Sequence, residues 1–442
     1  MTEHPDTPKP VEVVADATGG DMMDTAATGG AAPSDTAPGM AGSRLRRVTT
    51  LQHENWPNLV WVELEDEDGN TGLGETFSLA ESVVGYIHEG AAPYLLGQEA
   101  GDRTRHWQAL YRQRGRAGIG SEARGASAID IALWDLAARR ADRPLHEMLG
   151  GRSRPRIRVY NTCAGPNYVK GAAVAGRLYT GEFANDEYDD LWGFKNEPEK
   201  LAESLLAMGI KGMKIWPLDE IAVDTQGLYI TPAQMREGLG PIRRIKAAFG
   251  EEMDVALELH LRWHLASAIK IARAAEEYEP MWIEDAFRVE NLASLNRLCE
   301  STTIPILTGE QLGGRWAYKD VLERTNVSII MSDPVWTGGV SEIRRVADLT
   351  AAFQRSFTPH DCTGPIGLAV GTHVSLYAET AIYQEFVRAF RFGWYEQVAD
   401  GLPTITDGYI VPAPRAGHGV TLRRDGSAAE GWHERTTTEA GS

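Results

Sequence analysis

The chain is poor in cysteine, short of basic charge and without long apolar runs. Its three cysteines, Cys163, Cys299 and Cys362, are widely spaced and form no Cys-x-x-Cys pair. That reads as reduced thiols and excludes a disulfide framework or a thiolate zinc site. With 44 Lys and Arg against 62 Asp and Glu, the formal net charge is −18. Surfaces for nucleic acid or anionic membrane need clustered Lys and Arg, so neither partner is expected. No segment approaches the roughly 20 apolar residues of a membrane span. Nor does the chain open with a basic region, an apolar stretch and a cleavage site, so a cytoplasmic location is expected. In so acidic a chain a small anionic substrate needs a local cation, and a metal ion meets that need most simply.

What is present changes along the chain. Residues 1–42 are rich in Ala, Gly, Thr, Pro and Asp, carry seven acids against the single Lys9, and show no sustained apolar period, which predicts a disordered tail. From Arg44, "LVWVELEDEDGNTGLGE" reads as two strands joined by a turn at Asp68-Gly69-Asn70. "SEARGASAIDIALWDLAARRA" places its apolar residues at helical spacing. Residues 43–155 are therefore expected to form an α+β domain. From Arg156 short β-like runs alternate with amphipathic helices: "RVYNT", "GMKIW", "VALELH", "PMWIED", "PILTGE", "SIIMSD", "SFTPH" and "AIYQE". Eight such runs suit a (β/α) barrel over 156–390. Residues 391–442 are expected to return to the first domain and to end in disorder, with "GYIVPAPRAGHGVTLR" as a strand and loops packed on it.

Ionisable residues recur with the repeat. Glu258, Glu284, Glu310, Asp333, His360 and Glu385 each close one of these runs, at intervals of 23 to 27 residues. Such spacing stacks them around one rim, and in a βα barrel the C-terminal rim is where catalysis is found. In "VALELHLRW" strand alternation puts Glu258 and His260 on one inward face, which demands a partner for the buried charge. Converging carboxylates repel one another unless a cation neutralises them, and all-oxygen ligation suits Mg²⁺ or Mn²⁺ better than zinc. The alternative is that each Glu merely caps the helix that follows it.

"GIKGMKIWP", "ALELHLRW", "WIEDA", "IPILTGE", "SDPVWTGGVSE" and "TPHDCTGPIGLA", in this order, resemble the enolase superfamily. Within it, residues 43 to about 430 are similar to the mandelate racemase group and its acid-sugar dehydratases of galactonate and mannonate type. The resemblance implies an α+β capping domain, built from both chain ends, over a modified (β/α)7β TIM-type barrel. It implies one Mg²⁺ per subunit on Glu258, Glu284 and Glu310, with Glu258 standing where the family usually has Asp. "WIEDA" also departs from the commoner Glu-Glu-Pro. His360 and Asp333 fall on the family's general-base dyad, and His260 on the second histidine, the general acid for a departing hydroxyl. Glu385 falls on a position that bonds the enediolate oxygen or substrate hydroxyls. Lys214 matches the first lysine of a Lys-x-Lys motif whose second position is Trp216 here, which removes the usual second base of the racemases. Lys214 is left to neutralise a substrate carboxylate or a ligand, or to form a structural ion pair.

Arg262, Trp216, Asn161 and Trp56 are candidates for substrate contact, Trp56 at the centre of the loop "TLQHENWPN". A long insertion between Thr162 and Glu197, with Tyr168, Tyr179, Phe183, Tyr188, Trp192 and Phe194, is a candidate lid or oligomer contact. The expected reaction is Mg²⁺-dependent dehydration of a small anionic carbohydrate by a homo-oligomer, a dimer or larger. Another enolase-superfamily reaction on a carboxylate, racemisation, epimerisation or cycloisomerisation with His260 as second base, and a metal-binding barrel with little turnover that binds a ligand or partner stay open as alternatives.

Overall fold

The computed structural model describes residues 43–113, 119–169, 188–425 and 430–439. The tail at 1–42, the final residues at 440–442, and Tyr179 and Phe183 of the insertion lie outside them. The described chain opens with an antiparallel meander, β1 Leu45–His53, β2 Leu59–Asp66 and β3 Thr71–Phe77. A strand near the other end, Trp432–Thr438, completes this sheet by pairing antiparallel with β1. The helix Ser121–Arg140 packs across β3. A Cβ at Gly72 or Gly74 would stand 2.1 Å from the Ala132 carbonyl oxygen or 1.9 Å from that of Ala128, so only glycine allows this approach. Val60, Val62 and Leu64 meet Ile129, Leu133 and Leu136 in the resulting core.

Seven parallel strands follow in sequential order: β4 Ile157–Thr162, β5 Gly212–Ile215, β6 Asp254–Glu258, β7 Ile283–Glu284, β8 Ile306–Thr308, β9 Ile329–Ser332 and β10 Ser356–Pro359. An eighth, β11 Gln384–Phe386, pairs in parallel with β4. A parallel bridge between Phe357 and Ala381 joins β10 to the residues just ahead of β11. Amphipathic helices such as Leu265–Ala275, Leu292–Cys299 and Gly339–Ala352 connect the strands. Tyr160, Ala256, Leu307, Ile329 and Met331, from β4, β6, β8 and β9, pack into one buried cluster with Trp282 just ahead of β7. Among the described residues no helix is long and apolar enough to cross a membrane.

Two local differences from the sequence expectation bear on function. Strand β6 ends at Glu258, and His260 and Leu261 turn away with φ of 47° and 58°. His260 is therefore aimed by a left-handed turn and not by strand alternation. The segment Tyr409–Val411 forms a hairpin with Thr404–Thr406 and pairs with β4, while Trp432–Thr438 is the strand that joins the cap sheet.

Polar contacts seat the cap on the strand ends. Glu75 of β3 accepts from Trp61 Nε1 at 2.8 Å and from the amides of Gly367 and Ile366, at the start of the helix Pro365–Tyr377. Burial pushes its carboxyl up to about 7. Asp130 accepts from the Ser341 amide and hydroxyl at 2.8 and 2.6 Å, and Ser341 Oγ accepts from Trp134 Nε1 at 2.8 Å.

Candidate active site

At the C-terminal ends of the strands a cavity of about 320 Å³ opens beneath the cap, within the usual range for a small-molecule site. Lys214, Glu258, His260, Glu310 and His360 line it from the strand ends, and Phe77, Ser78 and Arg124 from the cap. Trp216, Arg262 and Tyr168 form a side wall. Five of the six residues predicted to share a rim by their spacing are linked by direct ion pairs or through Lys214, and the sixth, Asp333, is bonded to His360.

Lys214 stands at the bottom. Its Nζ lies 2.6 Å from Glu284 Oε1, 2.8 Å from Glu385 Oε1 and 3.5 Å from Glu258 Oε2, all buried. Burial opposes its charge, but Glu284, Glu385 and Glu258 hold its pKa well above the usual value. Glu258 and Glu284 are paired neighbours on β6 and β7. Burial raises both carboxyls. His260 and Lys214 overcome that for Glu258, which is lowered to about 2, while repulsion from Glu258 and Glu385 leaves Glu284 well above the ordinary range.

His360 Nδ1 lies 2.6 Å from Asp333 Oδ2, which leaves Nε2 3.1 Å from Glu310 Oε2. Burial disfavours the imidazolium, but Glu310, Glu385 and Asp333 raise His360 to about 10. A second pair, absent from the sequence expectation, faces it: His260 Nδ1 lies 2.8 Å from Asp219 Oδ2. Against burial, Asp219 and Glu258 raise His260 to about 9. The edge of Trp216 packs on the same ring at 5.4 Å between centroids.

Among the described residues, no group of three or more His, Cys, Asp or Glu side chains is gathered around a single metal position. Glu284 turns to Lys214 and to Trp282 Nε1, and Glu310 to His360 and Gln311. The donor set nevertheless fits a hard cation. Asp285 Oδ1 accepts from Thr308 Oγ1 at 2.5 Å, but its buried Oδ2 has no hydrogen-bond partner. Burial and the charges of Glu310 and Glu258 hold this carboxyl well above the ordinary range. A buried carboxyl oxygen without a partner, in the field of two more carboxylates, is chemistry that a divalent cation with oxygen ligands satisfies.

Two candidate substrate contacts lie elsewhere. Trp56 is buried in the cap, stacked on Trp394 at 5.1 Å, and does not line the cavity. Asn161 is fully engaged: Nδ2 donates to Asp190 Oδ2 at 2.8 Å and Oδ1 accepts from the Arg388 amide at 2.8 Å. Arg262 does reach the cavity, with Nε 3.2 Å from Asp219. Of the insertion, Tyr168 and Phe194 pack against Trp216. Asp219, Asp285 and Arg124 are site residues that sequence reasoning missed. Only Asp285, adjoining Glu284 in "WIEDA", carried a local signal.

The family described as "Mandelate racemase / muconate lactonizing enzyme, N-terminal domain" matches residues 45–150, and "Enolase C-terminal domain-like" matches 197–426. The chain belongs to the mandelate racemase/muconate lactonizing enzyme family of the enolase superfamily. Among solved structures, an enolase of the mandelate racemase subgroup from Agrobacterium tumefaciens is 36% identical, with a TM-score of 0.80 over 89% of this chain and 99% of that one. An enolase protein from Sargasso Sea environmental sequencing is 35% identical, with a TM-score of 0.79 over 90% of this chain and 100% of that one. D-galactonate dehydratase of Ralstonia nicotianae is 28% identical over 86% of this chain and 92% of the relative. These likenesses imply a TIM-type barrel with an N-terminal cap, and the chain has the run of parallel strands and the cap sheet that such an architecture contains.

Proposed function

We propose that the chain is a Mg²⁺-dependent dehydratase of a sugar acid such as an aldonate, yielding a 2-keto-3-deoxy acid. The observation that carries this reading is the pair of histidines on one cavity, each with Nδ1 held by an aspartate so that Nε2 is the nitrogen able to exchange a proton, although Nε2 of His360 meets Glu310 at 3.1 Å. The kinship with D-galactonate dehydratases supports it.

Dehydration needs one base and one acid at neighbouring carbons. His360, neutral once Glu310 no longer pairs with its Nε2, takes the proton from C2 at that nitrogen, and Asp333 stabilises the imidazolium that results. His260 Nε2 gives a proton to the C3 hydroxyl, which leaves as water when the C2–C3 double bond forms. The enol then takes up a proton at C3 and becomes the ketone, so the net change is loss of one water. Arg262 and Lys214 supply positive charge toward the substrate carboxylate and the developing enediolate, and Glu385, bonded to Lys214 and to Thr162 Oγ1, stands beneath them. Glu258, Glu284 and Glu310 would hold the ion, with Asp285 beside them. Once bound, Mg²⁺, or Mn²⁺ in its place, neutralises the substrate carboxylate and so acidifies the C2 hydrogen. In this reading the eight parallel strands close as a (β/α)7β ring, and the chain works in the cytoplasm as a homo-oligomer.

The matching aspartates behind both histidines also suit a two-base epimerisation, with His260 returning a proton to the opposite face of C2. Sugar acids incubated with Mg²⁺ in D2O separate the readings. Formation of 2-keto acid supports dehydration, and deuterium at C2 of recovered substrate without keto product supports epimerisation. Turnover of a non-carbohydrate carboxylate alone would overturn both as stated.

A further inference from the structure

We infer that Asp219 is the positioning residue for the acid half of the reaction, fixing His260 so that Nε2 serves the leaving hydroxyl. The inference rests on the dehydration proposed above. Asp219 is buried, at the start of the short helix Asp219–Thr225 that follows β5. Its Oδ2 accepts from His260 Nδ1 at 2.8 Å and from Arg262 Nε at 3.2 Å. It does not line the cavity that holds His260 and His360. It lines a neighbouring one, which shares Tyr168, Trp216 and Arg262 as a common wall. Asp219 therefore grips the imidazole from behind and is not placed to touch substrate.

The backbone beneath the ring shows that its aim is held against resistance. His260 and Leu261 have φ of 47° and 58°, in the left-handed region that a residue with a Cβ seldom adopts. The segment just after β7 holds the turn: the Leu261 amide donates to the Asp285 carbonyl at 2.6 Å and that of Trp263 to Ala286 at 3.1 Å. Gly227 closes over it, where a Cβ would stand 1.9 Å from the Arg262 carbonyl oxygen. The turn carries the ring out of the β6 alternation, and Asp219 supplies the bond that selects its rotation. With Nδ1 donating to Asp219, that nitrogen keeps its hydrogen whether the ring is neutral or cationic, and proton exchange with a substrate falls to Nε2.

Proton abstraction at C2 belongs to His360 and its own partner, so loss of Asp219 separates two steps that the wild type couples. Asp219→Ala and the near-isosteric Asp219→Asn are compared with wild type on a reactive sugar acid in D2O. In Asp219→Ala, 2-keto acid formation is expected to fall about a hundredfold or more. Exchange of the C2 hydrogen falls far less, so deuterium accumulates in recovered substrate. Asp219→Asn, whose amide oxygen still accepts from Nδ1, retains more dehydration than Asp219→Ala. Equal loss of exchange and dehydration, or loss of neither, overturns the inference. Selective ¹⁵N-histidine NMR, with His260 assigned through His260→Gln, gives a readout independent of turnover. A hydrogen on Nδ1 in wild type that moves or exchanges rapidly in Asp219→Ala supports the assignment, and an Nδ1 without hydrogen in wild type refutes it. If no sugar acid reacts, the dehydratase reading fails, while the NMR result still decides what Asp219 does to the ring.

Discussion

Lys214 Nζ lies 2.6 Å from Glu284 Oε1, with both side chains removed from water. The contact joins the ends of two strands that are not neighbours, since β6 with Glu258 lies between β5 and β7. Removing one partner of such a buried set leaves uncompensated charge, at a cost of about 3–5 kcal/mol. Lys214→Met is expected to lower the melting temperature strongly at pH 8. Lys214 holds the Glu258 and Glu385 carboxyls down against burial. Stability from a depressed carboxyl is present above its unfolded pKa and lost as pH falls through the folded one. The contribution that Lys214 makes through these carboxyls should therefore be intact above about pH 4.5 and fade between there and pH 2, so the deficit of the variant should shrink across that window, which paired thermal melts at pH 8 and pH 3 measure.

Asp333 orients His360 at 2.6 Å and accepts its Nδ1 hydrogen. Asp333→Asn preserves the shape but not the charge that supports the imidazolium. Its kcat should fall by about 10²–10⁴ with KM little changed. His360→Asn should abolish both C2 exchange and keto-acid formation. A full steady-state analysis with isotope exchange separates these variants from those at Asp219.

Chelation should abolish turnover, and added Mg²⁺ should restore it. A ligand that binds only the folded state at a hundred times its Kd stabilises by about 2.7 kcal/mol, so Mg²⁺ should raise the melting temperature of the wild type. Glu310→Gln removes one of the two charges beside the unpartnered Asp285 oxygen and should weaken that rise. A Mg²⁺ titration followed by differential scanning calorimetry checks both.

A histidine cluster far from the reaction sets an acid limit. His146 Nδ1 lies 2.9 Å from His373 Nδ1, and burial followed by the charges of His146 and His418 pushes His373 well below 6.5. Burial lowers His146 and His418 as well. These depressed groups stabilise the fold above pH 6.5, and the contribution is lost as pH falls below it. Each adds a slope of up to about 1.4 kcal/mol per pH unit. Chemical denaturation between pH 7.5 and 5 should show the decline. In His373→Asn it should be shallower, although that variant is less stable at pH 7.5.

How far the sequence reveals this molecule depends on how locally each feature is encoded. Glu284, Asp333 and His360 could be found because each closes an apolar run at the βα interval, and strand ends converge wherever parallel strands pack side by side. Asp219 follows "KIWP" on a short helix with no motif of its own, and its partner is 41 positions away. The left-handed turn at His260 and Leu261 uses residues that do not announce it, because the segment just after β7 and Gly227 hold it. Trp56 and Asn161 looked available to substrate because their partners, Trp394 and Asp190 with Arg388, come from remote segments. Isolated polar or aromatic residues carry no sign of whether the fold has already used them.

The strand Trp432–Thr438 on the edge of β1 has a consequence for biosynthesis. Thr49 and Thr436, whose hydroxyls meet at 3.0 Å, are separated by 387 positions. A ribosome therefore finishes all eight parallel strands while the open edge of β1 still lacks its neighbour. An unpaired edge is a template for other chains, and contacts between distant segments are slow to form. The nascent cap is thus the part of this protein most in need of a chaperone, and the pairing of Trp432–Thr438 with β1 is the event that seals it.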